Sequence, residues 1–191
     1  MGRTLRAFVA FKLPEHIVDR AATLQSALKA RGMKMRWVKP QNLHLTLKFL
    51  GDIPVADAPK IGAAIVHVAC DEPPLELTLQ GMGVFPGIKR PRVLWVGFGG
   101  QVQALKQLHR KLEDQLEPLG YDRDKRGYRA HLTLARIKGP VASKALSEAI
   151  QDVGHFSPIS FAVQRMVLYK SDLQPRGAIY TPMATADLTS S

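Results

Sequence analysis

One tetrapeptide occurs twice in this chain, as His44-Leu45-Thr46-Leu47 and again as His131-Leu132-Thr133-Leu134. The chain holds only six histidines, so recurrence of a His-initiated tetrapeptide points to internal duplication more strongly than a repeat of common residues would. Both copies lie in segments that read as strands, Leu43 to Leu50 and His131 to Ile137. Residues i and i+2 of a strand share a face. Each His therefore lies beside a Thr hydroxyl, while the leucines turn the other way, into a core. If the two strands are equivalent members of a duplicated fold, two imidazoles and two hydroxyls converge on one cleft.

Around the copies, apolar periodicity switches repeatedly between strand and helix. Leu5 to Leu13 reads as a buried strand closed by Pro14, and Glu15 to Arg31 as a helix with Ile17, Ala21, Leu24 and Leu28 on one face. Helices are also expected over Ala56 to Ala69, Val102 to Leu116 and Ser143 to Val153. Leu75 to Leu79 and Arg92 to Phe98 read as strands on either side of a long Gly/Pro-rich loop, Gly81 to Pro91, carrying Lys89 and Arg90 near its tip. Ile159 to Tyr169 and Ile179 to Ala186 complete the strands. This order implies an α/β or α+β fold, with helices outside the sheets. No Gly/Ser linker divides the 191 residues, so one unit is expected over residues 1–191.

The balance of 27 Lys+Arg against 16 Asp+Glu gives a formal net charge of +11 and a pI near 10.0, which attracts polyanions such as nucleic acid or anionic membrane. The single cysteine, Cys70, forbids an intramolecular disulfide and a Cys-based zinc site, fits a reducing cytoplasm, and reads as a small buried apolar residue. The apolar run Ala7 to Phe11 stops at Lys12, too short for a signal-peptide core. No stretch approaches the ~18 apolar residues of a membrane span. A soluble cytoplasmic protein without membrane association is expected.

Two histidines in complementary protonation states suit displacement at phosphorus. One neutral imidazole takes a proton from the attacking oxygen, and an imidazolium gives one to the leaving oxygen. Thr46 and Thr133 can donate hydrogen bonds to the non-bridging oxygens. Neither motif has an adjacent carboxylate or Cys to complete a zinc site, and this chemistry calls for no metal or other cofactor. Arg136 lies five residues after His131, on the opposite parity, so it reaches the phosphate only if the strand twists, bulges or ends. Lys34, Arg36 and Lys39 precede the first copy; Arg123, Lys125, Arg126 and Arg129 precede the second. Trp37, Phe49, Tyr121 and Tyr128 lie among them. Cations interleaved with stacking surfaces suit a nucleotide or a single-stranded RNA end. His16, His67, His109 and His155 have no partnered pattern, and Trp95 reads as core.

At these residues the sequence resembles the two-histidine phosphoesterase superfamily, and within it the RNA 2',3'-cyclic phosphodiesterases historically called 2'-5' RNA ligases. The resemblance runs through RAFVAFKLP, RWVKPQNLHLTLKFLGDI, GVFPGIKRPRVLWVGF, RAHLTLARIK and VLYKSDLQPRGAIYTPM. It implies a bilobal, pseudo-two-fold α+β fold, with antiparallel sheets lining a central cleft and helices outside. The implied activity is metal-independent hydrolysis of RNA 2',3'-cyclic phosphate ends to 2'-phosphomonoesters, some members joining tRNA halves in reverse. His44 would be the proton donor and His131 the proton acceptor, with Thr46 and Thr133 holding the phosphate. Arg136, Arg129, Tyr128, Phe49 and Arg36 are the expected substrate-binding residues, and a monomer is expected. Ala130 departs from the proline that relatives often place there.

Overall fold

Strand β1 (Thr4–Lys12) carries an unbroken buried run from Ala7 to Phe11, and Pro14 turns the chain into helix α1 (Glu15–Ala30). Residues 3–175 and 177–189 are described in this computed structural model; Arg176, in the closing segment, lies outside them. A two-residue strand β2 (Arg36–Trp37) precedes β3 (His44–Pro54), which leads into α2 (Ala58–Ala69). Then come β4 (Leu75–Phe85), β5 (Val93–Gly100), α3 (Val102–Leu116), β6 (His131–Arg136), α4 (Ser143–Gly154), β7 (Ile159–Val163), β8 (Arg165–Asp172) and β9 (Ile179–Asp187). The duplication is visible in this order, because β1-α1-β3-α2 and β5-α3-β6-α4 are the same strand-helix-strand-helix unit.

The strands form an α+β fold around an antiparallel sheet in the order β7-β4-β5-β6-β3-β1-β8-β9, with β2 paired to β6. The two four-stranded halves meet where β3 lies against β6, with Leu45 opposite Leu132. Equivalent residues facing each other across an antiparallel pair define a local two-fold axis normal to the sheet. The helices cover the far face, where Leu45, Leu47, Leu132 and Leu134 are at most 2% exposed. Burying each of these leucines contributes roughly 1.5–3 kcal/mol, and it fixes which face of each strand is left for the cleft.

Four segments differ from the sequence expectation. Gly81 to Phe85 belongs to β4 and not to a loop: Gly81, at φ +65, takes up a register shift between Gln80 and Met82, and pairing with β5 resumes beyond it. Glycine reads as a loop signal but here marks a bulge. Ile159 to Tyr169 is two strands broken at Gln164, with β7 at one edge of the sheet and β8 in the other half. Strand β3 continues through Gly51-Asp52 to Pro54, because Gly51 adopts φ +72 within the ladder. Cys70 is exposed at the end of α2, its thiol bonded to the His67 carbonyl. Among the described residues no helix is long and apolar enough to cross a membrane.

Candidate active site

His44 opens β3 and His131 opens β6. With Leu45 opposite Leu132, the antiparallel register sets His44 beside Thr133 and His131 beside Thr46 on the cleft face. Each imidazole is anchored alike: Nδ1 of His44 lies 2.7 Å from the Asn42 carbonyl, and Nδ1 of His131 lies 2.7 Å from the Arg129 carbonyl. A carbonyl only accepts, so Nδ1 carries the proton in both rings and Nε2 is left as the acceptor when the ring is neutral. Nε2 then becomes the donor when the ring is charged.

Burial lowers the His44 pKa to about 4, with His131 and Arg136 adding to the fall and the Asn42 carbonyl opposing it. Burial also lowers that of His131, with Arg136 in the same direction and the Arg129 carbonyl against it. Both rings are thus neutral at pH 7 before an anion arrives.

The parity problem at Arg136 is resolved by a bulge. In the β5–β6 ladder Leu94 pairs with Ala135 and Trp95 with Thr133, which leaves Leu134 as an extra residue. The β1–β3 ladder has the same irregularity at Leu47, between the Phe8–Phe49 and Ala10–Thr46 flanks. The bulges return Arg136 and Phe49 to the side of the histidines, and both are exposed, Phe49 at 58%. Arg136 depresses the proton affinity of both histidines and of Tyr180, which places its charge in the cleft. Equivalent positions of the duplicated motif thus hold a cation in one half and an aromatic ring in the other.

Buried polar groups on the helix side support each bulge. Gln25 of α1, 2% exposed, donates to the Leu134 carbonyl at 2.9 Å and the Val38 carbonyl at 2.8 Å. Beneath β3, the Lys48 ammonium is 2.7 Å from Glu113 of α3 and 2.7 Å from the Asp122 carbonyl. Burial pushes the Glu113 carboxyl up, but hydrogen bonds from Lys48 and from the Asp124 amide hold it below its usual value. His109, Glu113 and Asp124 have ligand atoms within 4.8 Å of one another. Lys48 stands among them, 3.6 Å from Asp124, and already supplies the positive charge a cation would bring.

Some expected contacts are relocated. Tyr128 is not a free stacking surface: His109 covers its ring at 4.2 Å, and its hydroxyl donates to the Thr46 carbonyl at 2.9 Å, tying the segment before β6 to β3. His109, unpatterned in sequence, is thereby part of the site's foundation. Arg123 is paired with Asp114 and, at 3.0 Å, with Glu117, which removes it from the free cations. Arg129 lies 5.9 Å over the Phe85 ring, at the rim beside His131. Trp95 faces the cleft, since it pairs with Thr133, and its ring packs 5.0 Å from Phe85. Arg36 is exposed on β2, opposite Arg136.

Sequence reasoning missed the walls around the histidines. His44 packs against Phe8 at 4.7 Å and edge-on to Tyr180 at 5.4 Å, whereas His131 meets the edge of Phe85 at 5.1 Å. Phe8 carried a signal, being the aromatic on the cleft-facing parity of β1. Tyr180 comes from the C-terminal strand, with no local mark of its proximity.

A duplicated, curled antiparallel sheet presenting two His-x-Thr strands to one cleft defines a two-histidine phosphoesterase. The chain belongs to the LigT-like phosphoesterase family, whose model matches residues 11–95 and 99–180. It is 34% identical over 179 residues to the RNA 2',3'-cyclic phosphodiesterase of Methanothermobacter thermautotrophicus, covering 94% of this chain and 96% of the relative. The enzyme of the same name from Aquifex aeolicus is 31% identical, covering 94% and 95%. Among solved structures, a Thermus thermophilus protein superposes with TM-score 0.79 at 28% identity, over 97% of this chain and 99% of that one. Escherichia coli LigT in complex with 3'-AMP superposes with TM-score 0.76 at 26% identity, over 98% and 100%.

Proposed function

We propose that the protein hydrolyses RNA 2',3'-cyclic phosphate ends to 2'-phosphomonoesters by acid-base catalysis between His44 and His131. The observation that carries this reading is the matched pair of Nδ1-anchored imidazoles, each beside a threonine and each with Nε2 free of any hydrogen-bond partner among the described residues. His131 Nε2 takes a proton from water as its oxygen attacks phosphorus. The P–O3' bond breaks, and His44 Nε2 gives its proton to the departing 3'-oxygen. The product keeps the 2'-phosphate and gains a free 3'-hydroxyl. Thr46, Thr133 and Arg136 meet the charge that develops on the non-bridging oxygens.

The assignment of His44 as acid and His131 as base is supported by where a nucleoside would fit. The leaving oxygen belongs to the terminal ribose, so the ribose lies on the acid's side. The open aromatic surface, Phe49 with half-buried Tyr180, is on the His44 side. His44 is neutral in the free protein and takes up its proton in the company of the phosphodiester anion, which opposes the effects that lower its affinity. No step requires a metal.

The test is an oligoribonucleotide ending in 2',3'-cyclic phosphate, incubated with excess chelator. The 2'-phosphate is expected as product, and His44→Ala and His131→Ala are expected to abolish it. A 3'-phosphate product, or full activity in either variant, would overturn the reading. Tested in the same assay, tRNA halves bearing the cyclic phosphate and a 5'-hydroxyl should join through 2'-5' linkages at a lower rate, the 5'-hydroxyl giving its proton to His131 and attacking phosphorus in place of water while the P–O3' bond breaks and His44 protonates the 3'-oxygen.

A further inference from the structure

Behind Phe8 and Tyr180, which both pack on the His44 ring, lies a cavity of about 340 Å³. Its lining includes Arg6, Arg36, Lys39 and Arg136, with Phe8 and Tyr180 at the end where it meets the catalytic imidazole. Among the described residues none that lines it is acidic. Nor, among the described residues, does any of the four cations make an ion pair, so no carboxylate offsets their charge within the concavity. Asp52, across the ladder from Arg6, does not line the cavity and forms no ion pair with it.

Four uncompensated cations around one concavity repel each other, an arrangement that favours an anion able to meet several of them together. Guanidinium groups match the oxygens of a phosphate in particular. Their placement is not accidental to the strand geometry. Arg6 shares the cleft parity of Phe8 on β1, Arg36 pairs with Arg136 at the end of β6, and Lys39 lies along Gly177. Arg6 and Arg136 both act on Tyr180, so the cations flank the ring that also touches His44.

We propose that this cavity is a second phosphate site. It takes the internucleotide phosphate on the 5' side of the terminal ribose, so that the preferred substrate is a polymer end and not a cyclic mononucleotide. The inference rests on the phosphodiesterase reading for its polarity: a 3'-oxygen leaving toward His44 sets the ribose on that side, and its 5'-carbon then leads the chain into the cavity. The terminal base takes Phe49, the exposed ring on the cavity wall.

The experiment compares adenosine 2',3'-cyclic phosphate with and without a 5'-phosphate, in the intact protein and in Arg6→Ala, Lys39→Ala and Arg165→Ala. One charge-assisted phosphate contact corresponds to about a tenfold preference or more. The 5'-phosphate is expected to raise kcat/KM by about that factor, mainly through KM, and the advantage is expected to shrink in Arg6→Ala and Lys39→Ala. Arg165→Ala, which removes the same charge far from the cavity, should preserve it. Equal kcat/KM for both substrates in the intact protein, or an undiminished ratio in both cavity variants, overturns the second site but leaves the phosphodiesterase reading intact. If neither substrate turns over, the oligoribonucleotide assay decides that reading, and titration with adenosine 2'-phosphate and its 5'-phosphorylated form decides the second site by the same ratio, now of dissociation constants.

Discussion

Leu45 and Leu132 face each other across the centre of the sheet, one from each copy of the repeated tetrapeptide. That pairing gives each histidine the other motif's threonine as its cross-strand neighbour, so the site is interleaved across the axis. In the proposed mechanism a single phosphate between the strands would engage all four side chains as one unit.

Groups that act as a unit on one transition state are not additive. His44→Gln and His131→Gln are each expected to lower turnover of a cyclic-phosphate end by about 10²–10⁴-fold. The double variant should lose little beyond the worse single one. Single-turnover rates for the three variants check this, and a double loss equal to the product of the singles would show that the two rings act independently.

Arg136 lowers the proton affinity of both histidines, which fixes the sign of a pH effect. The transition state of the proposed mechanism carries one proton more than the neutral pair, so kcat/KM is expected to be greatest between the two pKa values of the free protein. His44 is lowered to about 4 and His131 also lies below its usual 6.5, so the maximum falls on the acid side of pH 6.5 and activity declines as pH rises beyond it. Arg136→Met raises both values and moves the maximum toward neutrality, alongside a loss of phosphate affinity. Profiles of kcat/KM for both proteins decide the matter; an unmoved maximum would mean that the Arg136 charge does not act on the pair.

The repeat made the candidate site's His-Thr pairs legible in the sequence, because a strand's two-residue period places His and Thr together whatever the rest of the chain does. The reach of Arg136 was not legible. It depends on an extra residue at Leu134, and the bulge belongs to the pairing with β5 and leaves no local pattern. The split at Gln164 was hidden for a related reason: β7 and β8 are both apolar and nearly contiguous, and only their partners in opposite halves distinguish them from one strand. Nothing local marks Lys48, since its carboxylate partner Glu113 is 65 residues away.

That buried pair predicts an asymmetric response to substitution. Lys48→Met leaves Glu113 desolvated without its ammonium and is expected to cost about 3–5 kcal/mol, while Lys48→Met with Glu113→Leu recovers much of the loss. Urea unfolding measures both. The single variant should also slow turnover, because the same cluster holds the Asp122 carbonyl and the Asp124 amide on the segment leading to His131. If the double variant is as unstable as the single one, the pair is not what holds that segment.

The wall behind His131 depends on a missing side chain. Gly83 faces Trp95 across the β4–β5 ladder, and a Cβ there would sit 2.5 Å from the indole ring. The backbone at Gly83 has no positive φ, so Gly83→Ala acts by displacement alone. The indole must move, and with it Phe85, whose ring lies 5.0 Å from Trp95 and meets His131 at 5.1 Å. Overpacking of this kind costs roughly 1–3 kcal/mol, and the altered Trp95 environment should appear as a change in tryptophan fluorescence. Turnover is expected to fall by about tenfold while affinity for the 2'-phosphate product changes less, because a misplaced imidazole raises the barrier more than it weakens binding. A fluorescence shift with unaltered turnover would show that the Trp95–Phe85 wall does not set the position of His131.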